Sequence, residues 1–329
     1  KQPKIKKIWV QAKVKENYSA PNFLIVSQMV FPKINNFYCY LKFFFKVIGS
    51  LIITILGIIR GKWWYGYLFN ESINLHYVNA LKCDNYAEEY FFSSSCWYYK
   101  PLWTYEVEKE GSLVYLYYYS TNMENFQFNN YKKNKTFGLK IMTWNNFIVW
   151  DQQQEDYLKQ YCPNATYIQV GSVDFTGIQY KSFSSNQKKI LSVFDVTPTR
   201  PTYYTMLGCA IAPYYSEELN VKFLSTIIDV FNDGHWEILW KRKRIVLNAF
   251  VSNGFNIKQN KIVVGSLITI DPDVAPRSLI KNSDAVISMP FTSVSLIAKE
   301  LSVPTIFYDA SGEILEYKSH NISVLKSKN

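Results

Sequence analysis

The sequence predicts an α/β protein of two domains, and three observations carry that prediction. The chain has 329 residues, more than one hydrophobic core ordinarily organises. From about residue 185 onward, short apolar runs alternate with amphipathic stretches, the pattern of strand–helix–strand units on a parallel sheet. A polar, serine-rich stretch, Gln179–Gln187, separates this half from a more aromatic and less regular first half. The domain boundary is accordingly set between residues 1–180 and 181–329.

The second half reads element by element. Lys188–Val196 is a strand entered from the polar linker, followed by the loop Thr197–Pro201. Ser216–Asn232 is a helix. Glu217 and Glu218 stand in its first turn, and Leu219, Phe223, Leu224, Ile227, Ile228 and Phe231 recur at helical spacing. Trp236–Trp240 is a second strand running into the basic cluster Lys241–Arg244. A helix is expected over Ile245–Asn253, closed by Gly254, and a short strand over Lys261–Val264. Ala275–Lys281, Asp284–Ser288, Ser293–Leu301 and Pro304–Tyr308 then read as helix, strand, helix and strand.

In the first half, Val114–Tyr119 reads as a strand. Phe43–Ile59 is apolar except for Lys46 and contains Gly49 and Gly57. It is shorter than the roughly 20 residues of a membrane-crossing helix. Two readings remain, a core helix or a helix lying on a membrane. The flanking Lys42, Lys46, Arg60, Lys62, Trp63 and Trp64 are residue types that sit at a headgroup boundary. The second reading places peripheral membrane contact at residues 42–64.

Composition narrows the class. With 48% hydrophobic and 19% charged residues the chain is globular, not disordered. A net charge of +10 suits nucleic acid, an anionic membrane or a phosphate-bearing small molecule. The basic residues are dispersed and no nucleic-acid module signature is present, so nucleic acid is not expected as a partner. Five scattered cysteines and three distant histidines offer neither a disulfide framework nor zinc-ligand spacing. The cytoplasm is the expected location, and neither a metal nor a cofactor is expected.

Parallel sheets bind ligands beyond the carboxyl ends of their strands. That rule selects Asp195–Arg200, Lys241–Arg244, Ser288–Ser293 and Asp309–Gly312. The loop Pro290–Phe291–Thr292–Ser293 joins a buried strand to a helix start, where free backbone N–H groups and the helix dipole favour an anion. Thr292 and Ser293 either bind phosphate or cap the helix. Lys241 and Lys243, sent to one side by strand alternation, either neutralise a diphosphate or form a solvated basic face or a nucleic-acid patch. Asp195 and Arg200 either touch a ligand or, for Asp195, set a turn beside the prolines. Asp309 either holds a ribose or sugar hydroxyl or caps the next helix. Asp271 and Asp273 read as turn or cap residues, with an Asp-x-Asp metal pair, stiffened by Pro272, as the alternative.

The segment Ser283–Ser311 resembles the PFTS-motif polysaccharide biosynthesis proteins, named for the sequence that stands here at Pro290–Ser293. It is also similar to the donor loops of CDP-glycerol polymerases and CMP-sugar transferases. Trp103–Gly111, Tyr119–Asn122, Trp144–Gln152 and Gly171–Phe175 are compatible with the same family. The resemblance implies a GT-B-like glycosyltransferase, with two Rossmann-like α/β domains facing a cleft and the donor held by the C-terminal one. It implies transfer of a sugar from a nucleotide-activated donor, CMP- or CDP-linked, to a growing surface polysaccharide or lipid-linked glycan. The setting would be the inner face of the cytoplasmic membrane. An acceptor-activating base would come from Asp84, Glu88, Glu106, Glu108, Asp151 or Asp174, with Asp151, at a strand end, the first choice. A basic nucleic-acid-binding protein and a non-catalytic sugar-binding relative are the competing readings.

Overall fold

The computed structural model describes residues 7–12, 16–27, 31–81, 86–94, 98–119, 137–172, 177–180, 188–198, 216–243, 251–263 and 267–327. The described residues up to Gly171 build one compact unit, and those from Ser172 onward build another.

The first unit carries strands β1 (Ile8–Gln11), β2 (Tyr18–Ala20), β3 (Phe23–Val26), β4 (Glu89–Ser94), β5 (Leu113–Tyr118), β6 (Asn146–Val149) and β7 (Thr166–Gln169). Its helices are α1 (Phe37–Ile59), α2 (Tyr65–Ala80), α3 (Leu102–Lys109), α4 (Phe137–Lys140) and α5 (Gln152–Lys159). The sheet runs β2-β3-β1-β4-β5-β6-β7, parallel throughout except at the β2–β3 edge. An aromatic core stabilises it. Trp103 of α3 is fully buried and meets Trp9, Tyr90 and Phe92 with ring centroids 5.3–6.0 Å apart.

The second unit carries β8 (Lys189–Phe194), β9 (Trp236–Lys241), β10 (Ile268–Ile270), β11 (Ala285–Ser288), β12 (Thr305–Asp309), β13 (Lys318–Ser319) and β14 (Ile322–Lys326). Its helices are α6 (Glu217–Phe231), α7 (Asn253–Val263), α8 (Pro276–Ile280) and α9 (Ser293–Glu300). The order is β10-β9-β8-β11-β12-β14-β13, parallel except for the terminal β13–β14 pair. Counted along the chain, its six parallel strands are arranged 3-2-1-4-5-6, the doubly wound order of dinucleotide-binding sheets. The core is aliphatic, with Leu239, Leu279, Ile280, Val286, Ile297 and Ala298 packed around the central strands.

Most of the expected elements of this unit form, because apolar runs and caps agree. Ser216 accepts from the Leu219 amide at 3.2 Å and starts α6 as a capping serine does. One stretch differs. Lys261–Val264, expected as a strand, contributes its first residues to the end of α7, which begins at Asn253. Ser252 caps that helix by accepting from the Phe255 amide at 3.1 Å, and Phe255 and Gln259 lie buried one turn apart. The edge strand is instead Ile268–Ile270, paired to β9. The helix expected over Ile245–Asn253 falls mostly outside the described residues.

The apolar run of the first unit is also longer than its sequence suggests. Asn36 caps α1 by accepting from the Cys39 amide at 3.2 Å, and the helix then continues for 23 residues. A core position is excluded, since only Thr54 and Gly57 of its residues are buried.

Residues 177–180 form a strap over the second unit. Ile178 donates to the Asp273 carbonyl and accepts from the Ala275 amide, both at 2.8 Å. The Tyr180 amide donates to Ser278 Oγ at 2.7 Å. Glu300, at the end of α9, accepts from the Ser172 amide at 2.6 Å and pairs with Arg277 at 3.1 Å.

Candidate functional site

In the second sheet the strand order reverses between β8 and β11, and Phe194 and Ser288 stand in register there. The chain leaves the two strands in opposite directions, so a crevice opens beyond their carboxyl ends. The loops bounding it are the one after Phe194 and the one formed by Met289–Thr292. They are tied together, since the Met289 amide donates to the Phe194 carbonyl at 3.0 Å.

Asp195 anchors this edge. It is buried, and its carboxylate accepts from Asn220 Nδ2 and Trp240 Nε1, each at 3.3 Å, and from the Lys243 amide at 3.2 Å. Burial pushes its carboxyl from 3.8 up to about 6. The hydrogen bonds from Asn220 and Lys243, the nearby Arg242 charge and the Trp240 bond oppose the rise. The carboxylate thus pins the exits of β8 and β9 to α6.

The basic cluster divides. Lys241 is buried at the end of β9, and its ammonium donates to the Pro272 carbonyl at 2.9 Å. Burial lowers its pKa, against the pull of Asp195, Asp271 and Asp273. Arg242 lies 4.6 Å from the centroid of the Trp240 ring and donates to Gln259. Lys243 is exposed. The expectation that alternation groups Lys241 with Lys243 is corrected: β9 ends at Lys241, so pleat alternation does not extend to Lys243. Arg200 and Arg244 lie outside the described residues.

The PFTS loop closes the crevice from the β11 side. Thr292 has the extended backbone of an N-cap (φ −72°, ψ 141°), but its hydroxyl makes no capping bond. It turns back and donates to the Met289 carbonyl at 3.0 Å, bracing the loop from within. Ser293 opens α9 and is only half-buried. Beneath it, Ser288 and Ser295 share a hydrogen bond of 2.7 Å, and Thr305 donates to Ser295 at 3.1 Å. This buried hydroxyl network fixes α9 against β11 and β12. The helix therefore presents its first N–H groups at the switch point on a rigid mount, the arrangement that favours an anion. Thr197 Oγ1 and Arg242 Nε, on the loops after β8 and β9, are buried without hydrogen-bond partners among the described residues.

Asp309 ends β12 fully buried. It accepts from the Ser311 and Ile314 amides at 2.9 and 3.0 Å, so its carboxylate organises the following turn. Asp271 accepts from the Asp273 amide at 2.7 Å, the turn chemistry its sequence suggests. Among the described residues no group of three or more His, Cys, Asp or Glu could hold a metal ion.

In the first unit Asp151 follows β6 and caps α5, accepting from the Gln154 amide at 3.0 Å. Glu108 accepts from buried Lys100 at 2.7 Å, and Glu106 pairs with Lys109 at 2.6 Å. Asp84 and Asp174 lie outside the described residues. Sequence reasoning missed Trp240 and Asn220 as partners of Asp195. Their signal was faint: an indole and an amide inside elements that read simply as core.

The fold defines a class, a protein of two α/β units whose second sheet is doubly wound, with the start of α9 at its switch point. The chain belongs to the family of polysaccharide biosynthesis PFTS motif proteins, whose family model matches residues 40–329. No curated protein sequence matches it. Among solved structures it is similar to a mutant of S. aureus TarM in complex with fondaparinux, alpha-GlcNAc-glycerol and UDP. That likeness has 13% identity and a TM-score of 0.42, and covers 79% of this chain and 49% of that one. An alpha,alpha-trehalose 6-phosphate synthase from Burkholderia multivorans matches at 8% identity and a TM-score of 0.42, over 92% of this chain and 76% of that one. A Glycosylation Associate Protein complex from Streptococcus agalactiae matches at 10% identity and a TM-score of 0.43, over 78% of this chain and 49% of that one. The chain thus spans about half the length of the first and third of these.

Proposed function

We propose that this chain is a glycosyltransferase of polysaccharide synthesis that uses a nucleotide-activated sugar held by its second unit. The observation that carries the reading is the start of α9. A loop braced by Thr292 sets the start of α9, with Ser293 in its first turn, at the switch point of a doubly wound sheet, where the helix dipole suits a diphosphate or a nucleoside monophosphate. In the proposed reaction an acceptor hydroxyl oxygen bonds to the anomeric carbon of the donor. The bond from that carbon to the donor's phosphate oxygen breaks, and the electron pair leaves with the nucleotide. The hydroxyl proton passes to a carboxylate of the first unit, for which Asp151 is the candidate. The amides and Ser293 at the α9 start, with Lys243 as the exposed cation, hold the charge that develops on the leaving phosphate. The donor class we favour is CMP- or CDP-linked and the acceptor a growing or lipid-linked glycan. The location we favour is the cytoplasm, at the membrane's inner face.

The test is thermal unfolding of the protein with CMP, CDP, UMP, UDP, GDP or ADP, repeated with Ser293→Asp. A carboxylate at a helix start favours the helix dipole by roughly 0.3–1 kcal/mol but repels a phosphate. The expected result is stabilisation of the wild-type chain by one nucleotide class, and no such response in a variant that is itself no less stable. An unchanged response in Ser293→Asp would place the nucleotide elsewhere. No response to any nucleotide would remove the donor-site reading.

A further inference from the structure

Helix α1 is the least explained feature of the first unit. It is mostly apolar along its 23 residues, yet only Thr54 and Gly57 are buried. One narrow stripe meets α2: Ser50 Oγ lies 2.9 Å from His76 Nε2, and Phe43 stacks edge-on against Tyr77. Gly57 packs so tightly on Tyr65 that a Cβ there would sit 2.6 Å from the ring. The opposite face is aliphatic and aromatic and open to solvent, with Phe45 67%, Ile52 54% and Ile59 75% exposed.

The charges along this stretch of the chain all have one sign. No Asp or Glu occurs between Glu16 and Glu71, while Lys33, Lys42, Lys46, Arg60 and Lys62 all do. At the turn into α2, Trp63, Trp64 and Tyr67 form a cluster of exposed rings with centroids 6.0–6.1 Å apart. A protein partner would ordinarily meet a rim of mixed polarity. An apolar face with a purely basic border and interfacial tryptophans is complementary to anionic headgroups over acyl chains.

From this we infer that the α1–α2 hairpin docks the chain on an anionic lipid bilayer, with α1 lying in the plane of the membrane and its Phe45–Ile52–Ile59 face in the acyl boundary. Crossing the bilayer as a hairpin is disfavoured by α2. That helix carries Asn70, Glu71, Asn74 and His76, and Glu71 is fastened to α3 by accepting from the Leu102 amide at 3.0 Å. The inference stands independently of the transfer reaction, since lipid binding is read without donor or acceptor.

The experiment is co-sedimentation of the full chain with vesicles of phosphatidylcholine alone or mixed with phosphatidylglycerol, at low and high salt. Binding to the mixed vesicles is expected, weaker to neutral ones and weaker at high salt. The variant Phe45→Glu/Ile52→Glu/Ile59→Glu should lose at least about tenfold in partitioning with its thermal midpoint preserved, because all three side chains are exposed. A second variant, Lys42→Gln/Lys46→Gln/Arg60→Gln/Lys62→Gln, should lose the preference for anionic vesicles. Failure to sediment with any vesicle, or equal binding by the glutamate variant, would overturn the proposal. So would a wild-type dimer that the glutamate variant turns into a monomer with no lipid binding in either, since the face would then belong to a second copy.

Discussion

The indole N–H of Trp240 donates to Oδ2 of Asp195 across 3.3 Å, inside a sheet edge where both residues are buried. The acid is therefore held mainly in a structural bond, and its burial has a consequence for pH. Its folded-state value of about 6 lies above the ordinary 3.8. Between those values the folded chain holds a proton that the unfolded chain has released. This group's contribution to stability thus falls as pH rises through that window, and levels off above it. The size is about 3 kcal/mol at most, from roughly two pH units at 1.36 kcal/mol each. Asp195→Asn should flatten that slope in urea titrations taken across the window. Asp195→Ala, which strands the Trp240 and Asn220 donors, should cost about 2–4 kcal/mol at neutral pH.

Gly177 has a different constraint. A Cβ there would lie 2.5 Å from the Asp273 carbonyl and 2.9 Å from the Ala275 amide, both backbone atoms that no rotamer change can move. Gly177→Ala should therefore destabilise the second unit by about 2 kcal/mol or more in denaturant unfolding. Gly49→Ala is the contrast. Nothing lies within 4 Å of its added Cβ, and a mid-helix Gly→Ala should stabilise by up to about 1 kcal/mol. Equal effects at the two sites would contradict the packing of the 177–180 strap.

The parallel sheet of the second unit was legible because β8, β9, β11 and β12 are buried strands bounded by caps and turns, so periodicity and punctuation agree. The PFTS loop was legible because a strand end followed by a polar helix start is a local pattern. What failed depended on distant partners. Whether Lys261–Val263 is strand or helix is decided by Ser252 capping α7 and by Glu217, which accepts from Ser252 Oγ at 2.6 Å. The separation of Lys241 from Lys243 depends on where β9 stops pairing with β8. The exposure of α1 could not be read from hydrophobicity, because the same run of residues suits a core and a lipid surface.

Thr292 and Ser293, adjacent in sequence, should separate by experiment. Thr292→Val removes the hydroxyl that donates to the Met289 carbonyl at 3.0 Å, while the Thr292 amide and Ser288 Oγ still donate to that carbonyl at 3.3 Å. It should cost about 0.5–1.5 kcal/mol of stability while the thermal response to nucleotide persists. Ser293→Ala, at a half-buried position, should change stability by no more than about 0.5 kcal/mol and diminish the nucleotide response. The reverse pattern would mean that Thr292, not Ser293, faces the ligand.

The basic cluster should divide in the same way. Lys241 is buried with its ammonium on the Pro272 carbonyl, and burial lowers its pKa below 10.5. With the folded value below the unfolded one, protonation favours the unfolded chain, so this group's contribution to stability increases as pH rises toward 10.5. Lys241→Met, which keeps the apolar stem but frees the Pro272 carbonyl, should shift stability, remove that alkaline gain and release the Asp271–Asp273 turn to proteolysis. Lys243 is exposed, and its backbone amide donates to Asp195 at 3.2 Å. Lys243→Gln should therefore leave the unfolding midpoint nearly unchanged while weakening nucleotide binding, most strongly at low ionic strength where an exposed cation is least screened. Equal loss of nucleotide binding in both variants, with stability intact, would show that Lys241 turns outward to the ligand and that its burial in the sheet edge is not its working state.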